Sequence, residues 1–117
     1  MKNDLIKLNV QFFAQISGKE PVREWLLKLS KEERMIVGQD IEVIQRKWPI
    51  GWPFVDNLGD GIWEVRSTLG NRIARVLFYI EKNLMLLLHG FIKKTQKPPI
   101  QELNLAKKRL IQWKEKK

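Results

Sequence analysis

Apolar and polar residues change period several times along the chain, and each change marks an element. Near the start Ile6, Leu8, Val10 and Phe12 alternate with Lys7, Asn9 and Gln11, which predicts a half-buried strand. After Ser17-Gly18 the spacing becomes helical: Val22, Trp25, Leu26 and Leu29 fall at i, i+3, i+4 and i+7, and Pro21 suits a first helical turn. Ser30 with Glu33 has the form of a capping box for a second helix, whose stripe is Val37, Ile41, Ile44 and Trp48 and which Pro49 stops. The two helices are expected to form a hairpin.

Residues 49–61 carry Pro49, Gly51, Pro53, Gly59 and Gly61, a composition that predicts turns and loop. Three runs rich in β-branched, aromatic and aliphatic residues follow: Ile62 to Thr68, Arg72 to Glu81 and Leu84 to Ile92. Gly70-Asn71 and Lys82-Asn83 separate them, so an antiparallel meander is expected. Pro98-Pro99 then opens a last helix with Leu103, Ala106, Leu110 and Trp113 on one side and Lys107, Lys108 and Lys114 on others. The order βααβββα predicts an α+β fold, a small antiparallel sheet packed with an N-terminal helical hairpin and a C-terminal helix.

A length of 117 residues suits one domain, expected over 1–117. Without cysteine there is neither a disulfide framework nor a thiolate metal site, and a single histidine cannot form an imidazole cluster. The longest apolar run, Leu84 to Leu88, is far short of a membrane span, and Met1-Lys2-Asn3-Asp4 lacks the start of a signal peptide; a cytoplasmic protein is the expectation. The formal net charge of +9 is unevenly placed. Nine Lys or Arg against Glu102 and Glu115 put +7 of it in residues 93–117. That asymmetry points to a polyanion, with nucleic acid ahead of an anionic membrane surface, and a merely solvated helix as the bland explanation.

Period two also sorts the polar residues of the strands by face. Glu64 and Arg66 share one face, opposite Trp63 and Val65, while Arg75 shares a face with Ile73, Leu77 and Tyr79. An arginine inside so apolar a strand needs a reason, because burying an unpaired charge is costly. A cross-strand pair with Glu64, an exposed residue without a role, and a phosphate-binding fork are the three readings. His89 is expected on the face of Met85, Leu87 and Phe91, more as a hydrogen-bonded structural residue than as an acid. Lys93, Lys94 and Lys97 crowd the end of the last strand; beside Phe91 they form either a solvated cluster or an RNA-backbone site with a stacking ring. No zinc motif, phosphate-cradling glycine loop or nucleophile elbow is present, and the spacing of Asp56, Asp60 and Glu64 matches no carboxylate-pair motif.

Taken in order, Ser17-Gly18-Lys19-Glu20-Pro21-Val22, Gly61-Ile62-Trp63-Glu64-Val65-Arg66, Arg75-Val76-Leu77-Phe78-Tyr79 and the run from Leu87 to Pro99 resemble the HigB-like, phage-associated branch of the RelE/ParE toxin superfamily. The resemblance implies a RelE-like α+β fold and the toxin of a type II toxin-antitoxin pair. It implies cleavage of messenger RNA, commonly on the translating ribosome, and neutralisation by a small helix-turn-helix antitoxin. Metal-independent RNA cleavage, with no cofactor, requires deprotonation of a ribose 2′-hydroxyl, stabilisation of the phosphorane and protonation of the departing 5′-oxygen. Arg66 and Arg75 are expected to clamp the phosphate, Lys93 or Lys94 to transfer protons, and His89 to be a second acid. Lys97 and the final helix, with Lys107 and Lys108, are expected to hold RNA. The alternatives are a ParE-like inhibitor of DNA gyrase and a non-catalytic RNA-binding remnant.

Overall fold

The computed structural model describes residues 7–93 and 100–116. Its elements are β1 (Asn9–Phe12), α1 (Pro21–Leu27), α2 (Lys31–Lys47), β2 (Val55–Gly59), β3 (Ile62–Leu69), β4 (Arg72–Glu81), β5 (Leu84–Lys93) and α3 (Ile100–Glu115). They form an α+β fold around one five-stranded sheet of order β1-β5-β4-β3-β2.

Two expectations are corrected by this sheet. The segment 49–61 is not all loop, because Val55–Gly59 pairs antiparallel with β3 through Val55↔Val65, Asp56↔Glu64 and Asn57↔Trp63. Asp, Asn and Gly are poor strand formers, so local composition hides this strand; the free edge of β3 and the burial of Val55 create it. The sheet is also mixed rather than antiparallel, since β1 runs parallel to β5 from Asn9↔Leu84 to Phe12↔Leu87. The meander of β3, β4 and β5 is antiparallel as its turn residues predict. Pro98 and Pro99, assigned to the opening of the last helix, and Ile6 lie outside the described residues.

Both faces of the sheet are covered, which explains why β4 and β5 read as nearly continuous apolar runs. On one face Val65, Val76, Phe78, Met85 and Leu87 pack with Val22 of α1 and Val37, Ile41 and Ile44 of α2. On the other, Ile62, Leu77, Leu86, Leu88 and Phe91 pack with Ala106 and Leu110 of α3. The N-terminus of α2 carries the full capping box, Ser30 Oγ accepting from Glu33 N at 3.1 Å and Glu33 Oε1 from Ser30 N at 3.1 Å. Its far end packs Trp48 edge-on against Trp63 and Phe78. Gly90 seats α1 on β5: a Cβ there would lie less than 3.0 Å from three atoms of the Trp25 ring, so only glycine permits this approach.

One irregularity in β5 redirects the candidate site. The β4–β5 register steps from Leu77↔His89 to Phe78↔Leu87, leaving Leu88 as an extra residue. Such a bulge reverses which face the following residues take. His89 therefore leaves the face of Met85 and Leu87, where strict alternation puts it, and joins Leu86, Leu88 and Phe91 beneath α3.

Candidate functional site

Three strands bring the first group of side chains together. Arg66 on β3 stands opposite Arg75 on β4, and Arg75 stands opposite Phe91 on β5, so the three form a row across the α3 face of the sheet. Two like charges directly opposite each other repel, and Glu64 resolves this conflict. Its carboxylate, 1% exposed, accepts from Arg75 Nη1 at 2.8 Å through Oε2 and faces Arg66 Nε at 3.3 Å through Oε1. One buried anion thus holds both guanidinium groups.

The two arginines differ in what they can reach. Arg75 has a side chain only 3% exposed, whereas that of Arg66 is 36% exposed. Arg75 is paired with Glu64, as one of the sequence readings has it, and leaves little of its guanidinium exposed to a phosphate. Arg66 is open to a ligand. Its guanidinium lies 5.1 Å from the centre of the Trp52 ring, with Asp56 Oδ2 4.0 Å from its Nη2.

Lys93 ends β5 opposite Ile73 and so projects on the same face as Arg75. Partial burial, and next the nearby Arg75 cation, hold its ammonium below the usual value of 10.5, while Glu64 and Glu102 act in the opposite direction. A lysine in this position exchanges a proton more readily than a solvated one. Lys94 and Lys97 lie outside the described residues.

His89 forms a separate cluster with α3. Its Nε2 pairs with Glu102 Oε1, and its Nδ1 lies 3.3 Å from Arg109 Nη1, which also donates to Leu88 O at 2.8 Å. A guanidinium can only donate, so Nδ1 is the accepting nitrogen and the proton sits on Nε2, facing the carboxylate. Burial is the main cause that pushes the His89 pKa below 6.5; Arg109 acts in the same direction and Glu102 opposes. The ring stacks on Phe91 with centroids 5.3 Å apart and planes 23° apart. Neutral, partly buried and bonded at both nitrogens, His89 fastens α3 to β5 and does not point a free acid at solvent. Phe91, expected to offer a stacking surface, is 8% exposed and is spent on His89 and the core.

Two further expected residues lie elsewhere. Lys107 Nζ is 2.9 Å from Asp60 Oδ2, at the β2–β3 turn and thus at the opposite end of β3 from the row's Lys93 side. Lys108 is exposed on α3. Neither is gathered with Arg66 and Lys93. Sequence reasoning passed over Glu102, Arg109 and Trp52. The first two sit seven positions apart, a helical spacing that puts them on one side of α3; Trp52 was hidden in a segment read only for its glycines and prolines.

Among the described residues no group of three His, Asp or Glu side chains could hold a metal ion. Among them, too, no helix is long and apolar enough to cross a membrane. Comparison with curated proteins gives no match. One protein family does match, the phage derived protein Gp49-like family (DUF891), over residues 24–111. That span runs from within α1 to within α3 and includes Glu64, Arg66, Arg75, His89 and Lys93, together with the whole of α2 and of β2 to β5. The chain therefore belongs to the phage-derived Gp49-like family.

Proposed function

We propose that this protein is the toxin of a type II toxin-antitoxin pair and cleaves messenger RNA without a metal, on the translating ribosome, until a helix-turn-helix antitoxin neutralises it. Membership of a phage-derived family within the RelE-like toxin set supports the class. The observation that carries the chemistry is the convergence of Arg66 and Lys93 on one face around the buried Glu64–Arg75 pair. Two strands and two residues separate their backbones, about 12 Å from the standard spacings of a sheet. Long side chains at that separation can meet the same phosphate or successive ones.

In this reading Arg66 binds a non-bridging oxygen of the scissile phosphate and meets the charge that builds on the phosphorane. Glu64 fixes the Nε edge of Arg66, which leaves the Nη groups to the ligand. Lys93, its proton loosened by partial burial and by Arg75, exchanges a proton with the 2′-hydroxyl or with the leaving 5′-oxygen. Attack of the 2′-oxygen breaks the P–O5′ bond, giving a 2′,3′-cyclic phosphate and a 5′-hydroxyl, with the proton moved from one oxygen to the other. Arg75 acts through Arg66 and Lys93 as a positioning residue. Lys94 and Lys97, one and four positions after Lys93 in the sequence, add to the positive charge offered to the RNA backbone.

The test is induction of the protein in cells followed by mapping of new 5′ ends within translated messages. Wild type yields such ends with growth arrest; Arg66→Ala and Lys93→Met each lower cleavage at least about a hundredfold, as removal of a charge-stabilising or proton-transferring group does. Arrest with intact messages and with supercoiling defects would instead assign the protein to gyrase inhibition.

A further inference from the structure

Antiparallel pairing of β2 with β3 begins at Val55↔Val65, so Arg66 is the first residue of β3 beyond the cover of the edge strand. The loop before β2 lies against this opening. It carries two large aromatic rings in the sequence Trp52-Pro53-Phe54, and both are exposed, Trp52 at 71% and Phe54 at 56%. Exposed aromatic side chains of this size are unusual beside a charged edge, since a ring gains most by leaving water. Trp52 is not idle. Its ring holds the Arg66 guanidinium by a cation–π contact at 5.1 Å. On the α2 side of β3 a cleft of about 150 Å³ opens between Asp40, Ile44, Pro53, Phe54 and Arg66.

Resting on the reading of the protein as an RNA-cleaving toxin, we infer that Trp52 and Arg66 form a nucleobase subsite that stacks an unpaired base of single-stranded RNA next to the phosphate held by Arg66. Three features favour RNA as the occupant. The ring and the guanidinium are both planar π surfaces on which any base stacks, and each base in a single strand has a free face. Arg66 joins this platform directly to the Glu64–Arg75 row, so base and phosphate of adjoining nucleotides fall on one continuous surface. Of the net charge of +9, +7 falls in residues 93–117, which begin at Lys93 on the same face as Arg66, and this favours a polyanion over an apolar protein face. Asp56 at 4.0 Å, half exposed, is too solvated to cancel Arg66. Phe54, two residues along, lines the cleft on the α2 side and is not part of the subsite.

The subsite makes predictions separable from cleavage. The probe is a fluorescein-labelled single-stranded RNA with 2′-O-methyl sugars, which cannot be cut, read by fluorescence anisotropy against the same sequence in a duplex. Trp52→Ala is expected to weaken single-strand binding about tenfold or more, the usual loss when one stacked base is released, while Trp52→Phe stays within about threefold. Duplex binding is unchanged by either, because its bases are already stacked. Arg66→Gln lowers the salt dependence of single-strand binding by about one phosphate contact, and Trp52→Ala does not.

Equal affinity of wild type and Trp52→Ala for the single strand overturns the subsite and leaves the ring as a protein-contact residue. Equal loss on single strand and duplex, or absence of single-strand binding by wild type, overturns it as well. Wild type that binds as described but leaves messages intact refutes the cleavage reading and keeps the subsite. Cleavage by Trp52→Ala with unchanged KM and unchanged cut positions does the reverse.

Discussion

The sharpest consequence of the row across the sheet concerns Glu64. Its carboxylate is 1% exposed and lies 2.8 Å from the guanidinium of Arg75, which is itself buried. Glu64→Gln keeps the shape and removes the charge, so Arg75 loses the anion that balances it in a low-dielectric interior. Breaking a buried pair from one side costs about 3 to 5 kcal/mol, and the isosteric amide belongs at the low end, about 3 kcal/mol. Arg66 contributes little to this sum because its side chain is 36% exposed and well screened. With a urea slope of about 1.5 kcal/mol/M, the unfolding midpoint falls by about 2 M, read by far-ultraviolet circular dichroism or tryptophan fluorescence. The double variant Glu64→Leu with Arg75→Met removes both charges and recovers to within about 1 kcal/mol of wild type, because an apolar pair of similar volume replaces the ion pair. A midpoint for Glu64→Gln within about 0.3 M of wild type refutes the reasoning, as does a double variant no better than the single one.

Gly90→Ala drives a Cβ into the Trp25 ring and lowers stability by about 1 to 3 kcal/mol; Trp25→Leu in the same chain relieves part of that loss, measured as a non-additive pair in urea melts. Ser30→Ala removes one half of the α2 capping box and costs about 1 kcal/mol, read in the same melts. Because the folded-state pKa of His89 lies below 6.5, the unfolded chain binds the extra proton first as pH falls. Its contribution to stability is therefore full at neutral pH and is lost as pH drops through and below about 6.5; His89→Gln flattens the pH dependence of the urea midpoint in that window, and an unchanged slope would exclude His89 as its source.

Much of the site was legible from alternation alone. Glu64 and Arg66 fall on one face of β3, and Arg75 with Tyr79 on one face of β4, because period two holds through both strands. The same rule misplaced His89, for a bulge at Leu88 inserts one residue and exchanges the faces beyond it. Nothing local announces that bulge: Leu84 to Leu88 is apolar throughout, so the run carries no alternation from which a change of face could be read. Arg75 was visible as a charge that required a partner, yet only its burial against Glu64 separates a framework role from a phosphate clamp. Trp52 gave no periodic signal at all.

What the sequence determined by itself is what short windows encode: the capped helix from Ser30, the three meander strands punctuated by Gly70-Asn71 and Lys82-Asn83, the amphipathic last helix, and the excess of positive charge in residues 93–117. Each follows from periodicity, turn chemistry or capping among residues a few positions apart. Tertiary structure decided the rest. The strand Val55–Gly59 exists because β3 offers it an edge, β1 lies parallel to β5 because the sheet has room there, and His89 meets Glu102 and Arg109 because α3 folds back over β5. Those outcomes depend on partners many residues away, whose contacts gain their energy only once the intervening chain has closed. The face that Arg66 shares with Lys93, with Trp52 set against Arg66, is of that kind, and so the candidate site is a property of the assembled sheet.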